Sequence, residues 1–114
     1  VDSISTYLDS KIEELESINI KNIIIDPGFG FGKTIDHNFQ ILSNLEKFKE
    51  FKKPLLAGIS RKSMIYKFLS ISPDKALNGT SVLNTIALNK GADILRVHDI
   101  IEAKECLALF NKLN

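Results

Sequence analysis

IIIDPGFGFGKT, residues 23–34, runs a short β-branched stretch straight into a glycine-rich loop. Ile23-Ile24-Ile25 is too short for a helix and shows no polar alternation, so it reads as a strand buried on both faces. The loop looks like a phosphate cradle, but its spacing is wrong. A G-x-x-x-x-G-K-[ST] loop ending at Gly32-Lys33-Thr34 needs glycine where Pro27 stands. The dinucleotide pattern G-x-G-x-x-G would need glycine at Lys33 or at Ile35. Asp26 sits directly after the strand, where those motifs begin their turn.

The same rhythm recurs along the chain. Ile4, Leu8, Ile12, Leu15 and Ile18 form one helical stripe ahead of the first strand, with Asp2 or Ser3 as cap. Phe39, Leu42, Leu45 and Phe48 mark a second helix. Pro54 to Ile59 is a second buried strand, and Ser60-Arg61-Lys62-Ser63 opens a helical stretch from Met64 to Leu69. Ser72-Pro73 starts a further helix that Gly91 ends. Asp93 to Val97 is a third strand, and Ile100, Ala103, Leu107 and Phe110 line a last helix. Strands alternating with helices predict an α/β fold of parallel strands with right-handed crossovers. A doubly wound open sheet and part of a (β/α)8 barrel both fit. Three strands are few for either, because an isolated three-stranded sheet leaves long edges exposed. The chain, which starts at Val1, is therefore expected to be part of a larger domain.

Composition sets outer limits. The chain has 114 residues, 44% hydrophobic and 25% charged, with net charge +1. That balance suggests neither a nucleic-acid nor a membrane partner. The one cysteine, Cys106, has no partner for an internal disulfide and reads as a buried structural residue in a reducing cytoplasm.

In parallel α/β folds, ligands bind at the carboxyl ends of the strands. The first strand delivers Asp26 and the loop carrying Phe29 and Phe31. The second delivers Gly58, Ser60, Arg61, Lys62 and Ser63, and the third Arg96, His98 and Asp99. Asp26 can pair with an amidine-like ring edge, and Phe31 offers an aromatic face to a flat ring. Lys62, Arg96 and His98 suit an anion, as does Ser63 at a helix start. Bland roles exist for each taken alone: Asp26 as a turn cap, the phenylalanines as loop anchors, His98 as a core histidine. Arg61 and Lys62 fit a solvated pair less well, because positive charge opposes the dipole at a helix start. Arg96, in an apolar strand, needs a partner, with Asp99 or a bound anion as candidates.

DPGFGFGKT followed by His37-Asn38, then Gly58-Ile59-Ser60-Arg61-Lys62-Ser63, then Arg96-Val97-His98-Asp99, resemble the dihydropteroate synthase family in order and spacing. The resemblance implies a (β/α)8 TIM barrel. Residues 1–114 would then be the C-terminal part of a single pterin-binding domain, from about the fifth helix to the eighth. It implies folate synthesis: para-aminobenzoate condenses with 6-hydroxymethyl-7,8-dihydropterin pyrophosphate, giving dihydropteroate and pyrophosphate. By resemblance Asp26, Gly58 and Lys62 bind pterin, Phe31 and Ser63 bind aminobenzoate, and Arg96 and His98 bind pyrophosphate. Arg61 is structural support. Mg²⁺ is the implied cofactor, its ligand expected in the family's earlier strands, and sulfonamides compete with aminobenzoate in this family. Members are often dimers. The segment alone is expected to be inactive and poorly soluble. Alternatives are a methyltetrahydrofolate methyltransferase-like barrel, expected to lack Ser-Arg-Lys-Ser, and a non-catalytic barrel remnant.

Overall fold

The computed structural model describes residues 1–30 and 32–114. Five α-helices and two short strands are present among them: α1 (Asp2–Ser17), α2 (Ile35–Ser43), β1 (Leu56–Ala57), α3 (Ser63–Tyr66), α4 (Leu77–Asn89), β2 (Ile94–Leu95) and α5 (Ile100–Leu113). β1 pairs in parallel with β2, Leu56 facing Ile94 and Ala57 facing Leu95. On its other side, β1 is extended by a single parallel bridge from Leu55 to Ile25. The three predicted strands are thus adjacent and parallel, with the Pro54–Ile59 segment in the middle.

The ladders are shorter than expected. Ile23-Ile24-Ile25 is not a strand buried on both faces: Ile25 is buried, but Ile24 is 56% exposed. Only the middle segment has neighbours on both sides, and there Leu55, Ala57 and Ile59 are fully buried. At the amino ends, Asp93 ties the segments together. Its carboxylate accepts from Lys49 Nζ at 2.6 Å and from the Leu55 amide at 2.9 Å. The Lys49 hydrogen bond holds the Asp93 carboxyl below its usual range, against the opposing effect of burial.

The helices follow the apolar stripes, with local corrections. Ile4, Leu8 and Ile12 of α1 pack on the core, yet no α1 residue is fully buried. The α1 cap is Val1, not Asp2 or Ser3, and Asp2 lies in the first turn, where its charge suits the dipole. Thr34 caps α2 by accepting from the His37 amide. The predicted second helix breaks at Asn44 into a 3₁₀ segment, Leu45–Phe51. Three-residue repeats align i and i+3 side chains, and Leu45 and Phe48 are both completely buried. Ser72-Pro73 opens only a 3₁₀ turn, Pro73–Lys75, and Ser72 makes no side-chain cap. The Pro73 and Asp74 carbonyls are taken by Arg61 Nη1, so α4 begins afresh at Leu77. Cys106 is half-buried rather than buried, its thiol 3.7 Å from the Ser81 carbonyl. No helix among the described residues is long and apolar enough to cross a membrane.

Candidate active site

The carboxyl ends of the three segments lie on one rim. Asp26 follows Ile25. One carboxylate oxygen accepts from the Gly28 amide at 2.9 Å, closing the turn that Pro27 and Gly28, at φ +78°, make possible. The other accepts from Arg96 Nη1 at 3.0 Å. Asp26 is thus both a turn former and an ion-pair partner. Its partner Arg96 leaves the end of β2, its amide donating to the Ala57 carbonyl. The Arg96 side chain is 57% exposed, not buried, and its counter-charge is Asp26 rather than Asp99. An ion pair so exposed is worth at most about 1 kcal/mol, so a ligand can open it at little cost.

Gly58 makes room for this arrangement. A Cβ there would stand 2.8 Å from Arg96 Cζ, and closer still to Nη2. The guanidinium therefore lies directly over a buried stretch of bare backbone. Lys62 caps α3 but turns its side chain away from the helix start, and Nζ donates to the Phe29 carbonyl at 2.8 Å. Burial pushes the Lys62 ammonium below its ordinary pKa. Arg96 and Lys33 push the same way, while Asp26 opposes them. Asp26, Gly58 and Arg96 thus form one contact cluster, and Lys62, held at the Phe29 carbonyl, lies within electrostatic reach of it.

A second cluster lies beside it. Arg61 is held at φ +53° and forms a fork on Asp99, with Nε to Oδ2 at 2.9 Å and Nη2 to Oδ1 at 3.0 Å. Its amide donates to Thr80 Oγ1 at 3.0 Å. These contacts give Arg61 the supporting role expected of it. The Arg61 fork also holds the Asp99 carboxyl below the usual carboxylate range. His98, between Arg96 and Asp99, is exposed, and its Nδ1 lies 2.8 Å from Ser60 Oγ. Ser63, half-buried as the first residue of α3, takes no part in the hydrogen bonds of either cluster among the described residues. Phe31 lies outside the described residues.

Sequence reasoning missed two buried side chains here. Asn38 accepts from the Gly30 amide at 2.8 Å and donates to the Thr34 carbonyl, so it braces the glycine loop. Thr80 passes its hydroxyl proton to the Ala76 carbonyl while receiving the Arg61 amide. A polar residue on an otherwise apolar helix face was the available signal for Asn38, whereas Thr80 shares its buried face with Asn84.

The profile of the pterin binding enzyme family matches residues 1–98. The chain belongs to that family. Among curated pterin-family relatives, the dihydropteroate synthase of Escherichia coli is 41% identical over 106 residues, covering 91% of this chain and 38% of that protein. The chain thus spans about two-fifths of the length of the curated relatives it matches. Yersinia pestis dihydropteroate synthase, solved with a sulfonamide drug, superposes with a TM-score of 0.94 at 37% identity, covering 98% of this chain and 42% of that one. The Thermus thermophilus enzyme in complex with 4-aminobenzoate superposes at 0.93 with 30% identity, covering 99% and 44%. The fold of this chain is part of a (β/α)8 barrel. In such barrels the carboxyl-end rim carries function and the opposite rim stability. That matches the division between the Asp26–Arg96 cluster and the Asp93 tie.

Proposed function

We propose that the protein carrying this chain is a dihydropteroate synthase. It would join para-aminobenzoate to 6-hydroxymethyl-7,8-dihydropterin pyrophosphate, releasing pyrophosphate, in the cytoplasm and as a homodimer. In this proposal, residues 1–114 are the C-terminal part of one pterin-binding barrel domain and are inactive on their own. The observation that carries it is the gathering of Asp26, Gly58, Lys62 and Arg96 on one rim. A carboxylate for an amidine-like edge, bare backbone with a lysine beside it for a flat ring and a guanidinium for an anion suit this substrate pair. The names of the relatives support the same assignment.

Roles follow from the chemistry. Asp26 pairs with the pterin amino edge once Arg96 lets go, Gly58 lies against the ring and Lys62 contacts it. Arg96 and His98 take the pyrophosphate, stabilising the charge that develops as the C–O bond to the leaving group breaks. The methylene left behind is cationic and conjugated to the pterin, so the Asp26 charge favours it. Phe31 and Ser63 flank the aminobenzoate. Its neutral aromatic amine is nucleophilic without a strong base. Lys62 and Arg96 place two cations on the described rim, which disfavours a Mg²⁺ ion held directly by its side chains. Its ligand is proposed to lie outside this chain.

The test is an assay for dihydropteroate and pyrophosphate with both substrates. Turnover is expected, and truncating Arg96 to Ala should lower kcat by about 100-fold or more. Methyl transfer from a methylated pterin instead, or pterin binding without turnover, would overturn the assignment. A negligible rate loss in Asp26→Asn would count against its electrostatic role.

A further inference from the structure

We propose that Ser60 is a positioning residue that sets the tautomer of His98, so that the neutral ring presents Nε2–H to an anion on the rim.

Ser60 is the last residue of the buried middle segment, only 4% exposed. Its Oγ has two neighbours on the third segment. It accepts from the His98 amide at 3.2 Å and lies 2.8 Å from His98 Nδ1. A serine hydroxyl has one proton and two lone pairs. The His98 amide occupies one lone pair. Among the described residues Nδ1 is the acceptor within reach of the proton, and a buried hydroxyl left without an acceptor costs about 1–3 kcal/mol. The proton therefore goes to Nδ1, which must offer its lone pair. The ring proton then sits on Nε2, the nitrogen on the far side of the ring. His98 is exposed, so that N–H is free to donate outward.

The adjoining residues keep this geometry stiff. Arg61 and Asp99 form a forked ion pair immediately beyond Ser60 and His98. Two consecutive residues of one segment end are thus cross-linked to two of the other. A histidine on an exposed loop would otherwise sample both tautomers and several rotamers. The proposal deepens the assignment of His98 to pyrophosphate and rests on it only for the identity of the anion.

Long-range ¹H–¹⁵N NMR of the His98 ring, on the protein carrying this chain at a pH where the ring is neutral, reports the tautomer directly. Wild type and Ser60→Thr should show Nε2–H alone. Ser60→Ala should show a mixture and bind inorganic pyrophosphate more weakly in proportion to the Nε2–H fraction it loses, about twofold for an even mixture. A wild-type ring protonated on Nδ1 would overturn the proposal, and so would unchanged pyrophosphate affinity in Ser60→Ala. A protein with the expected tautomer and no synthase turnover would overturn the proposed function while leaving this inference standing.

Discussion

Arg96 Nη1 donates to Asp26 Oδ2 over 3.0 Å, joining segment ends that lie 70 residues apart in the chain. The ion pair itself adds little to the stability of the fold, because Arg96 is 57% and Asp26 33% exposed. The two charges neutralise each other on the rim and become available together when a ligand separates them.

Replacing Asp26 with Asn should therefore change stability by less than about 1 kcal/mol in urea denaturation. The electrostatic consequence falls on Lys62. Asp26 raises the Lys62 pKa and Arg96 lowers it. Asp26→Asn should move it further down, and Arg96→Ala should move it back up. Titration of Lys62 by NMR reads both shifts, and a shift of the same sign in the two variants would refute the linkage.

Gly58→Ala isolates the close approach of Arg96. The methyl group would meet the far end of a flexible side chain. The fold should survive with a loss under about 1 kcal/mol, while the guanidinium is driven off Asp26. Pterin affinity should drop with Tm nearly unchanged. A large Tm loss with full affinity would mean that Gly58 serves the backbone alone.

Asp99 carries a pH-dependent share of stability. The Arg61 hydrogen bond, and the Arg61 and His98 charges after it, hold its folded-state pKa below normal. Its contribution is fully present above the unfolded value of about 3.9 and is lost as pH falls through the lower folded value. The stability gap between wild type and Asp99→Asn should be level from about pH 5 to 8 and shrink below about pH 4. Urea midpoints across that range check it. A gap that widens on acidification would contradict the assignment.

Gly79 on α4 tests packing. A Cβ there would lie 2.5 Å from Cγ2 of Ile65, a stiff β-branched side chain that is 2% exposed. Overpacking costs about 1–3 kcal/mol and outweighs the helix gain of about 1 kcal/mol for Gly to Ala. Gly79→Ala alone should lower stability. In an Ile65→Ala background, where Cγ2 is gone, the same change should raise it. Additive effects in this double-mutant cycle would rule out the contact.

Much of the fold was legible in the chain. The first and last helices and the turn after Asp26 read correctly because period and turn chemistry are local properties. Strand lengths did not, since a ladder needs neighbours: Ile24 has the composition of a buried strand residue and remains exposed. The second helix gives way at Asn44 to a 3₁₀ segment, in which Leu45 and Phe48 keep the buried positions their spacing predicted.

The candidate site divides along the same line. Sequence alone placed Asp26, Lys62, Arg96 and His98 at strand ends, because parallel strands must deliver their following residues to one rim. Only the tertiary structure decided who pairs with whom. It gave Arg96 to Asp26, Asp99 to Arg61 and Ser60 to His98, where the sequence had suggested a buried Arg96 partnered by Asp99 or a bound anion. The physical reason is range. A residue's place on the rim is set by backbone direction within a few positions of the chain, whereas a hydrogen bond is set by ångström distances between segments joined only through the packed core.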